Sequence, residues 1–186
     1  MSKKILFILI FSLYSFVSFS QNETGVYFDL GVEAQQYPTG FLLGARAEIG
    51  IASHHALDVR IGYNSLDHKD FGEHESEIGG GFGFTLGYRY YFKPENRKWF
   101  LGARSDFWWN EIDWEDNIRN PNQMVGTTNV VVLQPTAIGG YRFLLNNNFV
   151  ITPTLAFGAE INIKTEGEDV GQGAIVLWGI NLGYKF

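Results

Sequence analysis

The 186-residue chain has no cysteine. That excludes a disulfide framework, a thiolate metal site, a cysteine nucleophile and a lipid-modified N-terminal cysteine. Long apolar runs are also missing: beyond the first twenty residues nothing approaches the ~18 consecutive apolar residues of a membrane helix. Basic residues are the minority, 14 Lys and Arg against 20 Asp and Glu, for a formal net charge of −6. That balance argues against binding nucleic acid or an anionic surface through bulk charge. What the chain does have is 22 Gly, 16 Phe, 9 Tyr and 5 Trp. This composition is poor for a helix bundle and good for β-structure.

Lys3 and Lys4 precede an apolar run from Ile5 to Val17, and Ser18-Phe19-Ser20 puts small residues at the −3 and −1 positions before Gln21. This is the order of a secretory signal peptide. The run is shorter than the ~20 residues that span a bilayer, which disfavours the alternative of an N-terminal anchor. Residues 1–20 are expected to be cleaved, leaving 21–186 as one domain with 12 basic and 20 acidic residues, a net −8.

Period-two alternation then recurs in eight segments, the pattern of half-buried strands. One face carries Val26, Phe28, Leu30 and Val32, then Leu43 to Ile49, Leu57 to Tyr63, Phe82 to Tyr90, Trp99 to Trp109, Val131 to Phe143, Phe149 to Ile161 and Trp178 to Phe186, taken at every second position. The other face carries mainly glycine and charge, with Tyr27 and Trp108 on it as well. Pro135 and Pro153 fall inside two of the segments, where a closed sheet has no free edge to hide a missing N–H. A bulge or a lost ladder bond is expected at each. Connectors alternate between short (52–55, 93–98, 145–148) and long (65–77, 111–128, 164–173), with the first, near Gln36 to Gly40, short although it belongs to the long set by order. An up-and-down meander of even strand number gives this asymmetry. Gly87-Tyr-Arg-Tyr90, Gly140-Tyr-Arg-Phe143 and Gly183-Tyr-Lys-Phe186 close three of the segments, one local solution reused at one height of a sheet.

Volume decides which face is inside. An eight-stranded barrel has an interior just wide enough for side chains to fill it. The aromatic face of eight strands cannot fit there, whereas Gly31, Gly44, Gly62, Gly83, Gly102, Gly140 and Gly183 on the other face suit a crowded lumen. The apolar face therefore points outward. That is untenable in water and required in lipid. The expected fold is all-β, an eight-stranded antiparallel up-and-down transmembrane β-barrel; a soluble lipocalin-like barrel or a sandwich is the alternative. Tyr88, Tyr90, Phe92, Trp99, Tyr141, Phe143, Phe149, Tyr184 and Phe186 would ring the short-turn end, and Phe41, Tyr63, Phe107 and Trp109 the loop end, as interfacial girdles.

With its leader, its eight alternating segments and its last strand, Trp178-Gly-Ile-Asn-Leu-Gly-Tyr-Lys-Phe186, the chain resembles the small outer-membrane β-barrels of Gram-negative bacteria, of the OmpX and OmpA-transmembrane-domain type. The resemblance covers the whole mature chain and implies location in the cell outer membrane. It also implies that Ile180, Leu182, Tyr184 and Phe186 form the C-terminal signal read by the barrel-assembly machinery. Unlike a full-length OmpA-type protein, the chain ends with the barrel.

Charged residues on the inward face are Asp29, Glu33, Arg46, Glu48, Asp58, Arg60, Arg89, Arg104, Asp106, Arg142, Glu160 and Lys185. A narrow lumen should force them into a paired network, since an unpaired buried charge is costly. A structural plug is the expectation and a gate or conduit the alternative. The long connectors are acidic: 65–77 carries −4, 111–128 carries −3 and 164–173 carries −2. Asp67, His68, Asp70, Glu73, His74 and Glu75, or Asp113, Glu115 and Asp116, offer oxygen-rich cation ligands, although no spacing matches a calcium loop. His74-Glu75-Ser76 pairs a base with a hydroxyl, as in the eight-stranded lipid A deacylases with their His-x-Ser pair, but without that family's flanking residues or an evident acidic partner. A strand extension would aim both residues at lipid. The expected function is non-enzymatic: an integral outer-membrane protein serving surface structure, adhesion or partner docking through acidic extracellular loops. A lipid A-modifying enzyme and a narrow solute channel are the alternatives. No cofactor and no nucleic acid are expected. Expected partners are outer-membrane lipid and lipopolysaccharide, the barrel-assembly machinery during insertion, and an unidentified surface partner.

Overall fold

A computed structural model describes residues 26–69, 72–93, 98–145 and 148–186. The expected leader, residues 1–20, and the candidate ligand Asp70 lie outside the described residues. Nine strands follow in chain order: β1 (Tyr27–Tyr37), β2 (Gly40–Gly50), β3 (His55–Lys69), β4 (Ser76–Tyr91), β5 (Trp99–Asp116), β6 (Met124–Tyr141), β7 (Phe143–Leu144), β8 (Phe149–Glu166) and β9 (Gly173–Lys185). All pairings are antiparallel, β9 pairs with β1, and β6 pairs with β8, so the sheet closes on itself. β7 is the end of β6 beyond Arg142: it lies on β8 in unchanged register, Gly140 opposite Thr154 and Phe143 opposite Ile151. The nine elements therefore form the eight staves of an up-and-down barrel.

The alternation sorts as volume requires. Asp29, Glu33, Arg46, Glu48, Asp58, Arg60, Arg89, Arg104 and Asp106 are buried in the lumen, while Ile61, Phe82 and Trp178 are 68%, 73% and 63% exposed on the outer wall. Apolar side chains are exposed all the way round the cylinder. A patch of that extent matches hydrocarbon, and a closed barrel is one of the two folds that leave no backbone group unpaired there. None of the described residues forms a helix long and apolar enough to cross a membrane; the crossing is made by strands. At the short-turn end Trp99 packs edge-on to Tyr141, Tyr141 meets Phe143, Phe149 meets Tyr184, and Tyr184 meets Phe186. At the other end Tyr63 packs on Phe82, and Phe84 lies against Phe107 and Trp109.

Three features refine the sequence expectation. First, the lumen holds apolar side chains besides glycine and charge. Tyr27 and Trp108 lie inward as alternation places them; Tyr91 and Phe100 join Tyr27 at the short-turn end, and Tyr37, Leu42, Leu66 and Ile112 are buried further along with Trp108. Second, the long connectors are mostly strand: β5, β6 and β8 each run 18 residues, and only 117–123 and 167–172 remain as loops between them and their partners. At about 3.3 Å per residue and a tilt of about 40°, such strands rise about 45 Å, well past a ~25 Å apolar band. The acidic residues therefore ride on a projecting barrel wall. Third, each proline gives the second of the two expected outcomes, a lost ladder bond, and neither makes a bulge. The register shift of the β6–β8 seam lies between Val131 and Val132. The prolines instead cost ladder pairs in that seam: Pro135 still pairs with Ser105 of β5 but not across to β8, and the break at Arg142 comes beside the place opposite Pro153, which still pairs with Ile180 of β9. A missing N–H removes bonds on one side of a strand only, which explains both gaps.

Glycine is obligatory where an aromatic ring crosses the lumen. A Cβ on Gly83 would lie 2.4 Å from Cε3 of the Trp108 ring and 2.0 Å from the Phe107 carbonyl oxygen. The Gly83→Val variant should therefore lose the difference in gel mobility between boiled and unboiled samples that marks a folded barrel. Gly139→Ala, whose nearest neighbour would be the flexible Leu101 tip at 3.1 Å, should keep it.

Candidate functional site

The lumen holds one continuous ion network. Arg46 pairs with Glu48, with Asp58 at 3.0 Å and with Glu33 at 3.4 Å. Arg89 bridges Glu48 (3.0 Å) and Asp58 (2.9 Å). Arg60 joins Glu33 (3.1 Å) to Asp106 (2.7 Å), and Arg104 joins the same two acids at 2.9 and 3.3 Å. Four guanidiniums and four carboxylates thus neutralise one another. These residues come from β1, β2, β3, β4 and β5, because each sits at an inward position of its strand at a similar height. Neutral partners complete the set. Tyr91 donates to Glu48 at 2.6 Å, Tyr27 donates to the same carboxylate, and Gln35 accepts from Arg60 and Arg104, each at 2.8 Å. Arg89 also lies over the Phe100 ring, 4.4 Å from its centroid.

Of the twelve charged residues that alternation places on the inward face, eight belong to this set: Glu33, Arg46, Glu48, Asp58, Arg60, Arg89, Arg104 and Asp106. Arg142 instead pairs with Asp29 at 2.8 Å. Glu160 forms no ion pair among the described residues and accepts from Gln134 at 2.7 Å. Lys185 stands at the lumen edge, 5.7 Å from the Tyr27 ring centroid. Sequence reasoning had placed Tyr91 and Phe100 on neither face, yet Tyr91 shares the parity of Arg89, and Phe100 that of Gly102 and Arg104.

The other end of the barrel is capped. Glu77, on the part of β4 beyond the apolar belt, is buried, and its Oε1 accepts the N–H groups of Glu73 (2.8 Å) and His74 (3.2 Å). The N–H of Gly171 reaches both carboxylate oxygens at 3.2 and 3.1 Å, and His68 Nδ1 lies 3.1 Å from Oε2. Burial raises the Glu77 pKa, but the bonds from His68 and the three backbone N–H groups outweigh it and hold the carboxyl below the ordinary 4.5. One carboxylate thus ties the 72–75 bend to the 167–172 loop, whose Val170 is buried. His74 adds a second tie. Its ring stacks on Trp114 at 4.2 Å, Nδ1 lies 2.8 Å from Asp116, and Nε2 lies 3.0 Å from the Asp169 carbonyl oxygen. The bond to His74 and the Glu75 N–H lower the Asp116 pKa.

This geometry reassigns the candidate chemistry at the rim. His74 does not face lipid, because it sits in a bend that folds inward over Trp114. Asp116 is the acidic partner that the sequence did not reveal. Nevertheless Nε2, the atom that would take a proton from Ser76, is directed at a backbone carbonyl, so no nucleophile pair is assembled. The candidate cation ligands are dispersed. Asp67 lies 3.9 Å from Lys69, Asp113 accepts from Thr127, Glu115 accepts from Gln123, and no group of three or more acids or histidines among the described residues has a geometry suited to a metal.

Solved structures to which the chain is similar include three small barrels. One is the N-terminal β-barrel domain of Pseudomonas aeruginosa OprF: 12% identity, TM-score 0.46, covering 86% of this chain and 97% of that one. Another is the attachment invasion locus protein Ail of Yersinia pestis: 10%, 0.48, 87% and 97%. The third is Neisserial surface protein A: 13%, 0.47, 86% and 97%. No protein-family model and no curated protein sequence matches the chain. The assignment of a closed barrel rests on the strand register of the chain itself.

Two measurements test this site. Asp58→Asn leaves Arg46 and Arg89 short of a carboxylate inside the lumen and should destabilise the barrel by about 3–5 kcal/mol in urea unfolding. Glu160→Gln, which removes no ion pair found here, should cost less than about 1.5 kcal/mol. At the cap, a carboxyl whose folded pKa is depressed contributes stability that is complete above its ordinary value and lost as pH falls through the folded one. Amide exchange at 72–75 and 168–172, corrected for intrinsic rate, should therefore accelerate as pH drops below 4.5. Glu77→Gln should raise it about tenfold already at neutral pH, since hydrogen bonds to a charged group contribute about 1.5 kcal/mol or more.

Proposed function

We propose that the chain is a non-enzymatic outer-membrane barrel that holds a rigid acidic platform above the cell surface for docking or adhesion. The observation that carries this reading is the filled lumen. A neutral network of four arginines and four acids, sealed by Tyr27, Tyr91 and Phe100, blocks the axis, which leaves the projecting end as the working surface. The ties through Glu77 and His74 support it, because a loop end fixed in one shape meets a partner with less ordering cost than a free loop. The acidic wall suits a partner surface rich in Lys and Arg and disfavours a polyanion. On this reading residues 1–20 direct export across the inner membrane, and Ile180, Leu182, Tyr184 and Phe186, which alternate along the outward face of β9, present the strand read by the barrel-assembly machinery. Outer-membrane lipid and lipopolysaccharide surround the belt.

Three experiments separate the readings. Purified protein in planar bilayers should show no stable conductance, and large, steady openings would sink the plug. A photo-crosslinker at exposed Arg119 or Asn122, in the 117–123 loop, should capture a protein neighbour in intact cells. Lipid adducts alone, together with a changed lipid A acylation pattern on deletion, would favour the lipid-modifying alternative.

A further inference from the structure

The outer wall is not uniform. At the short-turn end β5, β6 and β8 enclose a groove of ≈ 800 Å³. Ala137 and Gly139, outward on β6, leave its floor low, while Trp99 and Leu101 rise on one side and Leu155 and Phe157 on the other. A second pocket of ≈ 470 Å³ adjoins it, sharing Phe92, Trp99 and Tyr141 and bounded by Lys93 and Lys98. The backbone fixes this junction. The Phe92 N–H donates to the Trp99 carbonyl at 3.1 Å, so the two lysines leave the strand ends side by side. The Arg142 N–H donates to the Lys98 carbonyl at 2.8 Å and fastens that lysine to the foot of the groove.

From this junction we propose a binding site for an anionic glycerophospholipid, with an acyl chain in the groove and the phosphate between Lys93 and Lys98. The groove has the size of a small-molecule site and the polarity of a lipid tail. Its open end meets two exposed ammonium groups at the level of the aromatic collar, where a headgroup lies. Charge selects the headgroup. Among the described residues lining the groove and its adjoining pocket, the charged ones are Lys93 and Lys98. A zwitterionic lipid would bring its own ammonium against these cations, and an anionic lipid brings none. The chain is acidic as a whole, so this is a local exception at the end opposite the acidic wall. The site rests on the membrane reading above and, with the short turns periplasmic, belongs to the inner leaflet of the outer membrane.

The test is intact-complex mass spectrometry of the refolded mature chain, given phosphatidylglycerol and phosphatidylcholine of identical chains in equal amounts. Wild type should retain one phosphatidylglycerol in preference, by about fivefold for each lysine. K93Q/K98Q should bring its retention down to that of phosphatidylcholine, and Ala137→Phe should reduce retention of both lipids by filling the groove. Equal retention of the two lipids by wild type, or full preference in K93Q/K98Q, overturns the proposal. A lipid-free dimer that Ala137→Phe dissolves also overturns it and assigns the groove to a second copy. The boiled and unboiled gel shift is recorded for every variant. A chain that shifts but has no headgroup preference lacks the lipid site alone, whereas a chain that never shifts fails the membrane reading beneath it.

Discussion

The closed ring of eight staves is the constraint on which the other features depend. Closure leaves no sheet edge, so backbone groups are paired where the wall meets hydrocarbon, save at the ladder gaps beside Pro135 and Pro153 in the β6–β8 seam. The same closure fixes the radius, and at eight strands the lumen admits side chains and little else. Inward positions must then be small, or charged and mutually neutral, or apolar enough to pack. Gly83 under Trp108, the Arg46–Asp58–Arg89 cluster, and Tyr91 against Phe100 are the three solutions, stacked along one axis.

The neutrality of the network matters more than the strength of any one pair. A buried ion pair is weak evidence for stability, because desolvation offsets most of the attraction. An imbalance of one charge is different, since nothing inside a narrow lumen can screen it. Equal numbers of arginines and acids, with Gln35 and two tyrosine hydroxyls taking up remaining bonds, meet that condition. The network also ties β1 through β5 to one another across the interior, while β6 and β8 stand largely outside it. The Val131–Val132 register shift and the ladder gaps at Pro135 and Pro153 all fall in the β6–β8 seam. The interior bracing and the irregular backbone thus occupy opposite halves of the barrel.

How much of this was legible in the sequence depends on distance along the chain. Period two is a local property, so strands, faces and the outward belt could be read from residues such as Leu57-Asp58-Val59-Arg60. Lumen occupancy is a property of volume and also followed, as did the inward placement of Arg46, Asp58 and Asp106. Pairing was not legible. Nothing local tells that Arg142 meets Asp29, 113 residues away, or that Glu160 meets Gln134 rather than a cation. The rim was misread for a related reason. An acidic stretch looks the same whether it is loop or projecting strand, and only the partner strand shows that Asp113 and Glu115 stand on a paired wall. Extending the strand through His74 aims it at lipid because parity is carried across a bend, and Asp116, 42 residues on, cannot be seen from it.

The two ends of the barrel differ in kind, and the difference follows from strand number. An even count of staves brings the last strand back beside the first, and the Phe186 N–H donates to the Phe28 carbonyl at 2.8 Å. Both strand termini therefore share the short-turn end with Lys93 and Lys98, while the strand overhang and the acidic residues are at the other. With the short turns periplasmic, as proposed above, the end with excess acid is the one that crosses the hydrocarbon during insertion, and the end with the lysines and the aromatic collar stays where it started. Apart from Glu160, which accepts from Gln134 and has no ion pair among the described residues, the buried lumen charges of the crossing strands lie in neutral sets, so most of the burden of translocation rests on the overhangs. Their acids are spread over β3, β4, β5 and β8, and so can pass one hairpin at a time. The segregation of charge along the axis and the neutrality of the interior network are thus one arrangement: the net acidity lies on the projecting end and not among the braced strands of the lumen.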